Sequence, residues 1–309
     1  MPFGIMFHHF HGVSYNKTQG SISSSQFYKI INFLRKNYNL INANEFLYKL
    51  INKKIKKKDI CLTFDDSLKS QVDIALPILS KEKIQAFFFL YTNIFEKNFN
   101  KLEVFRDFRT TKYRKIDFFY KDFFLQFKKE YPKKYKVFKN TKVKRYLAQY
   151  TFYSLKDREF RFCRDKFLSM KNYETLMMKL MKKKKYNLIK EKNKILMSKS
   201  DIKKVIKNNQ ILGLHSHSHE INMNKMSYKS QLLDYKKNFL FFKKNFNIKP
   251  ISMSYPYGRY NKNSLKALKK IGIKLAFLSN FTKRKIFSSL EVPRYDHIYI
   301  VKKIFKNKL

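Results

Sequence analysis

The chain has 309 residues, enough to bury a substantial core as one large α/β domain or as two domains. Its formal net charge is +47, and it holds 32 Phe and 21 Tyr against 6 Gly, 6 Pro and no Trp. Two cysteines are too few for a disulfide framework, and no apolar run reaches the ~18 residues of a membrane-spanning helix.

The basic charge favours anionic partners such as phosphate groups or acidic lipid head groups. Lys, Asn, Ile, Phe and Tyr share AT-rich codons, so codon bias is read as the larger source of the lysine excess. Nucleic acid is accordingly not the expected partner. Met1 to Phe10 has neither a basic start nor a long apolar run, which argues against a signal peptide. The expected compartment is the cytoplasm, with peripheral contact at an acidic inner-membrane surface as an extension.

Phe3 to Phe7 reads as a strand running into His8-His9-Phe10-His11, and Phe27, Ile30, Leu34 and Tyr38 mark an amphipathic helix after it. Residues 59–91 form a predicted βαβ unit. Ile60 to Phe64 is a buried strand holding Cys61 as a buried thiol, Leu68, Val72, Ala75 and Leu79 recur at helical spacing, and Ile84 to Tyr91 is a second strand. Ser67 or Asp66 is a candidate cap for that helix. Residues 93–196 break the rhythm: they are rich in Lys, Phe and Tyr, contain no glycine, and read as a basic helical insertion or cap. Residues 101–196 carry 30 Lys/Arg against 10 Asp/Glu. The alternation then resumes, with a strand at Ile211 to Leu214, a long helix from Tyr228 to Phe246, and strands at Ile251 to Ser254 and Ile273 to Ser279 around a helix near Lys262 to Ile271. Alternating strands and helices predict a parallel α/β architecture.

Two segments carry chemistry. Asp65-Asp66 follows a predicted buried strand, at the strand end where α/β folds gather their functional groups. His215-Ser216-His217-Ser218-His219 follows another. In a helix His215 and His219 share a face; in an extended segment His217 joins them. One carboxylate and two imidazoles suffice to hold a divalent cation, leaving the second carboxylate to accept a proton. A third segment, Ser254-Tyr255-Pro256-Tyr257-Gly258, has the composition of a shaped loop whose backbone N–H groups suit an oxyanion.

In this order the three segments resemble the motifs of the polysaccharide deacetylase (NodB-homology) family of carbohydrate esterases, over residues 1–92 and 197–309. Thr63-Phe64-Asp65-Asp66 is similar to the first motif, with Ser67 where glycine is usual. His215 to His219 is similar to the second, and Tyr255-Pro256-Tyr257-Gly258 to the third. The resemblance implies a deformed (β/α) barrel of about seven strands. It implies Asp65 as general base, Asp66, His215 and His219 as ligands of one divalent metal, and the Tyr257 backbone N–H as oxyanion donor. Zinc is the first expectation for the metal, and cobalt, nickel, manganese or iron also fit such a donor set. The usual arginine upstream of the third motif is absent, as are the tryptophan-containing and C-terminal motifs. Two histidines are therefore candidates for the general acid: His297, beside Asp296, and His8.

The expected reaction is hydrolysis of an N-acyl group, acetyl or formyl, from a sugar. The expected substrate is an anionic nucleotide- or polyprenyl-phosphate-linked intermediate of surface polysaccharide or lipopolysaccharide synthesis. The alternative is a non-catalytic basic protein that binds nucleic acid or acidic membrane on a degenerate deacetylase scaffold.

Overall fold

A computed structural model of the chain describes residues 1–141, 143, 145–148, 153–281 and 288–304. These form two compact units, residues 1–100 with 196–309 and residues 101–195.

The first unit is built on β1 (Phe3–Phe7), β2 (Asn39–Leu40), β3 (Asp59–Phe64), β4 (Phe87–Leu90), β5 (Ile211–Leu214), β6 (Ser252–Ser254), β7 (Leu275–Phe277) and β8 (Arg294–Asp296). All pairings are parallel, in the order β7-β6-β5-β4-β3-β1-β8, with the two-residue β2 also on β3. The segment before β8 closes the ring. Phe277 bridges Val292, the Leu278 N–H donates to the Val292 carbonyl at 2.8 Å, and Gly4 of β1 pairs with Arg294. The result is the expected deformed (β/α) barrel, with seven strands around it.

Period-2 alternation sorts the side chains between two cores. On β3, Ile60, Leu62 and Phe64 face the larger core under the helices, whereas Cys61 belongs to a smaller cluster with Phe87, Phe89, Leu275, Phe277 and Val292. In that cluster the Phe87, Phe89 and Phe277 rings lie 5.5–5.7 Å apart. Space there is tight. A Cβ on Gly213 would lie 2.4 Å from the Phe89 ring and 2.8 Å from Ser252 Oγ, so only glycine lets β4, β5 and β6 approach as they do.

Both cysteines are buried and unpaired. The helix after β3 starts differently from expectation. Neither Asp66 nor Ser67 caps it: both have positive φ (77° and 55°), and the Ser67 hydroxyl donates to the Tyr91 carbonyl instead. A π-helical turn, Gln71–Ala75, precedes the regular helix Leu76–Lys81. The helices Ser24–Asn37, Tyr228–Phe246 and Lys262–Lys270 lie where the apolar periodicity puts them. The short helices Ala43–Ile51, Lys199–Lys207 and His297–Ile304, and the strands β2 and β8, were not evident from periodicity.

The second unit is helical. Its main elements are Leu102–Thr111, Ile116–Glu130, Pro132–Lys139, Leu155–Phe162, Met170–Lys183 and Leu188–Ile195. Phe119 and Phe123 pack on Phe160 at 5.2 and 5.0 Å, in edge-to-face geometry that is favourable for aromatic pairs. Among the described residues no helix is long and apolar enough to cross a membrane.

His297 opens the last helix of the barrel and is buried. Its Nε2 lies 3.0 Å from the Gly20 carbonyl, and its Nδ1 lies 3.3 Å from the Met6 carbonyl and 3.2 Å from Asp296 Oδ1. Carbonyl oxygens only accept, so both nitrogens act as donors and the ring is held as imidazolium. Burial pushes its pKa down, but the Asp296 carboxylate and the two carbonyls outweigh that and raise it.

Two outcomes follow. Gly213→Ala lowers stability by about 1–3 kcal/mol through overpacking, read as a lower denaturation midpoint. A raised histidine pKa contributes stability fully present below about pH 6.5 and lost as pH rises through the folded-state value. His297→Gln therefore destabilises most below about pH 6.5, with the gap to wild type closing as pH rises through the raised folded-state pKa; a pH-independent gap contradicts this role.

Candidate active site

The C-terminal ends of β1, β3, β5, β6 and β8 bring the sequence-predicted residues together, with one exception. Asp65 and Asp66 leave β3 in different directions. The Asp65 carboxylate joins the barrel interior, where Arg294 Nη1 donates to Oδ1 at 2.9 Å and Nη2 to Oδ2 at 2.7 Å. Ser254 Oγ donates to Oδ2 at 3.0 Å. Arg294 is fully buried and further bonded to the Leu278 carbonyl, Thr63 Oγ1 and Ser254 Oγ at 2.6–3.0 Å. Gly4 makes room for it, since a Cβ there would sit 3.0 Å from Arg294 Cγ. Burial pushes the Asp65 pKa up, but Arg294, His215 and His8 together hold it below the usual carboxylate value.

Asp66 turns the other way through its left-handed backbone. Its Oδ1 lies 3.2 Å from His215 Nε2 and 3.1 Å from His219 Nε2, and the donor atoms of all three residues lie within 4.8 Å of one another. All three are buried. Burial raises the Asp66 pKa, but hydrogen bonds from His215 and His219 and the charges of His219 and His8 carry it well below the ordinary range.

The histidine segment is neither helix nor strand. Ser216 and His219 have φ of 58° and 54°, and the His219 N–H donates to Ser216 Oγ at 2.9 Å. This tight turn converges the outer pair and swings His217 away, with its Nδ1 2.9 Å from Thr92 Oγ1 and its Nε2 3.2 Å from Glu96. Asn238 fixes the turn from the long helix. Its Oδ1 accepts from the His215 N–H at 3.1 Å, and its Nδ2 donates to the Leu90 carbonyl and Thr92 Oγ1. The His219 ring stacks on Tyr91 at 4.8 Å between centroids, and the Tyr257 ring packs against it at 4.9 Å, tilted by 46°. Tyr257 thus reaches the cluster from the loop after β6, in a left-handed conformation and with its side chain partly exposed.

The donor set fits a divalent cation. His215 Nδ1 lies 2.8 Å from the Ser254 carbonyl and must donate to it, so in the neutral ring Nε2 presents a lone pair to the Asp66 oxygen. Burial pushes the His215 pKa down, but Asp65, Asp66 and the Ser254 carbonyl outweigh that and raise it, so the 3.2 Å gap calls for a cation between the two atoms, a proton on Nε2 or a metal ion in its place. Tetrahedral ligands at about 2.0–2.1 Å from a metal stand roughly 3.3 Å apart, close to the 3.1–3.2 Å between Asp66 and each histidine.

Of the two candidate acids, only His8 is at the cluster, with Nε2 3.7 Å from Asp66 Oδ2 and the side chain about a quarter exposed. His297 is not brought there, because both its nitrogens hold the β1–β8 corner. Gln71 couples His8 to the acid pair: its buried Nε2 donates to the carbonyls of His8 and Asp65 at 2.9 and 2.6 Å.

Arg294, Gln71 and Asn238 are site residues that motif reading passes over, and Ser254 opens the third segment without a role being read for it. One signal existed for Arg294. The chain has only 11 Arg among its 69 basic residues, so an arginine two positions before the Asp296-His297 pair marks a place where lysine does not serve.

A family model described as polysaccharide deacetylase matches residues 52–115 and 166–276, more than half of the chain. No curated protein matches at the sequence level. Among solved structures, the Streptococcus pyogenes deacetylase PplD, in complex with acetate, superposes with a TM-score of 0.55 at 16% identity, covering 95% of this chain and 90% of that one. IcaB from Ammonifex degensii gives 0.56 at 14% identity, covering 96% and 91%. BC0361, a polysaccharide deacetylase from Bacillus cereus, gives 0.52 at 14% identity, covering 96% and 64%. These likenesses establish a shared fold, and the family match adds the chemistry: the chain belongs to the polysaccharide deacetylase family of carbohydrate-deacetylating hydrolases.

Proposed function

We propose that the protein is a divalent-metal-dependent hydrolase that removes an N-acyl group, acetyl or formyl, from a sugar carried on phosphate. The observation that carries this reading is the division of labour between the paired carboxylates. Asp66 is aligned with His215 and His219 as a donor set, while Asp65 is held apart on Arg294 and Ser254.

In this reading Asp66, His215 and His219 hold the metal, with zinc the first choice for a carboxylate and two imidazoles. A divalent cation there supplies Lewis acidity toward the acyl carbonyl and lowers the pKa of water. The remaining work belongs to the chain. A carboxylate offers about four lone-pair positions, and Arg294 and Ser254 occupy three on Asp65. The remaining one takes the proton of the attacking water. Arg294 keeps Asp65 ionised and fixes its direction. The Tyr257 backbone N–H, in the loop against the His219 ring, stabilises the oxyanion. His8 protonates the departing sugar amine; its partial exposure leaves it open to the substrate side.

The net charge of +47 supports an anionic substrate. A nucleotide sugar or polyprenyl-phosphate-linked sugar of surface polysaccharide or lipopolysaccharide assembly, handled in the cytoplasm or at the inner membrane face, meets that condition.

The test is acetate or formate release by the metal-loaded protein from N-acylated sugars, phosphorylated and neutral. Release should favour the phosphorylated substrate, with a KM that rises with salt as screening grows. Equal turnover of a neutral glycan overturns the substrate assignment. His8→Ala should lower kcat about 10²- to 10⁴-fold with metal content unchanged. The same loss in His297→Ala but not in His8→Ala overturns the assignment of the acid.

A further inference from the structure

Among the described residues two arginines are buried, in opposite circumstances. Arg294 has hydrogen-bond acceptors and a carboxylate. Arg109, on the helix Leu102–Thr111 of the helical unit, is only 8% exposed, and its Nε is buried with no hydrogen-bond partner. Among the described residues no carboxylate pairs with it. The residues of this unit outside the described set, Lys142, Lys144, Gln149, Tyr150, Thr151 and Phe152, include no acid. Its guanidinium lies over the Phe160 ring at 5.2 Å, a cation–π contact that covers one face and satisfies none of the N–H donors.

The surroundings add positive charge rather than removing it. Burial first, and then Arg161, Arg164 and Arg106, bring the Arg109 pKa down to about 10, so it stays protonated at neutral pH. Arg164 is matched by Asp165, with Nη2 to Oδ2 at 3.0 Å. Arg161 stands 3.5 Å from Asp157, which also accepts the Tyr120 hydroxyl, and its Nε is likewise buried without a hydrogen bond. Seven of the chain's 11 arginines fall between positions 106 and 164, in a sequence that otherwise uses lysine for basic charge. Guanidinium in place of ammonium matters where a planar fork of donors meets a tetrahedral oxyanion.

We propose that Arg109 and Arg161 form a phosphate-binding site inside the helical unit, which takes a phosphate monoester or diphosphate as the counter-charge that Arg109 lacks. An isolated buried guanidinium is costly, and a dianion with acceptor oxygens offsets both the charge and the unmet donors. The proposal stands independently of the acyl chemistry in the barrel.

The test uses the full-length protein and pyrophosphate at constant ionic strength. At a hundredfold excess over Kd the wild-type Tm should rise by roughly 5 °C. Arg109→Met, which replaces an uncompensated charge by an apolar side chain of similar length, should fold with an unchanged or higher Tm and lose the rise. The double variant Lys182→Ala/Lys185→Ala removes exposed charge and should keep it. No rise in wild type, or the same rise in Arg109→Met, overturns the proposal by showing no site or only general attraction to a basic surface. Should Arg109→Met fail to fold, Arg109→Lys takes its place: a rise as large as wild type overturns the fork, and a clearly smaller one supports it. Phosphatidylcholine vesicles with and without phosphatidic acid distinguish the source. Arg109-dependent retention on the acidic vesicles assigns a lipid phosphate; stabilisation by pyrophosphate without retention assigns a soluble one.

Discussion

The bidentate pair between Arg294 and Asp65 joins barrel closure to the chemistry at the barrel mouth. Arg294 enters from β8, the strand that completes the ring beside β1, and its guanidinium reaches Thr63, Asp65 and Ser254 on β3, the strand's end and β6. Without a buried cation, a carboxylate as enclosed as Asp65 would pick up a proton, because burial alone raises its pKa. Breaking a buried pair of this kind by removing one partner typically costs about 3–5 kcal/mol. The same contact thus joins β8 to the end of β3 and keeps the Asp65 carboxylate ionised.

Asp66 shows the complementary arrangement. One residue further along, a left-handed backbone rotates the second carboxylate out of reach of Arg294 and onto two imidazoles. Three buried donors so close together are unfavourable unless a positive charge sits among them. The surrounding groups set the geometry in advance. The Ser254 carbonyl fixes the His215 tautomer, Asn238 fixes its backbone, and Tyr91 and Tyr257 hold the His219 ring. Outer partners of this type orient metal ligands and tune their basicity. Ser254 serves both halves, donating its hydroxyl to Asp65 while its carbonyl accepts from His215.

Much of this was legible in the sequence, for identifiable reasons. Buried parallel strands are near-continuous apolar runs, so Phe3 to Phe7 and Ile60 to Phe64 were plain, as was the long helix starting at Tyr228. The Asp-Asp and histidine segments stood out because rare residue types cluster just after such runs. Three things could not be read. β8 is three residues long with two of them charged, below the length at which alternation gives a signal, so its Arg294 had no visible partner. The turn at Ser216 and His219 depends on positive φ at residues that do not advertise it, and that turn sends His217 away from the Asp66, His215 and His219 cluster. His297 beside Asp296 has the pattern of a catalytic dyad, yet the carbonyls of Met6 and Gly20, distant in sequence, make it a structural clamp.

The account turns on the two carboxylates having separate roles. Metal content of purified, reconstituted protein tests this most directly, comparing wild type with Asp66→Ala, His215→Ala and Asp65→Asn. The account predicts about one divalent ion per chain in wild type and in Asp65→Asn, and loss of that ion in the other two. A wild type that binds no metal, or an Asp65→Asn protein that loses it as completely as His215→Ala, would contradict it.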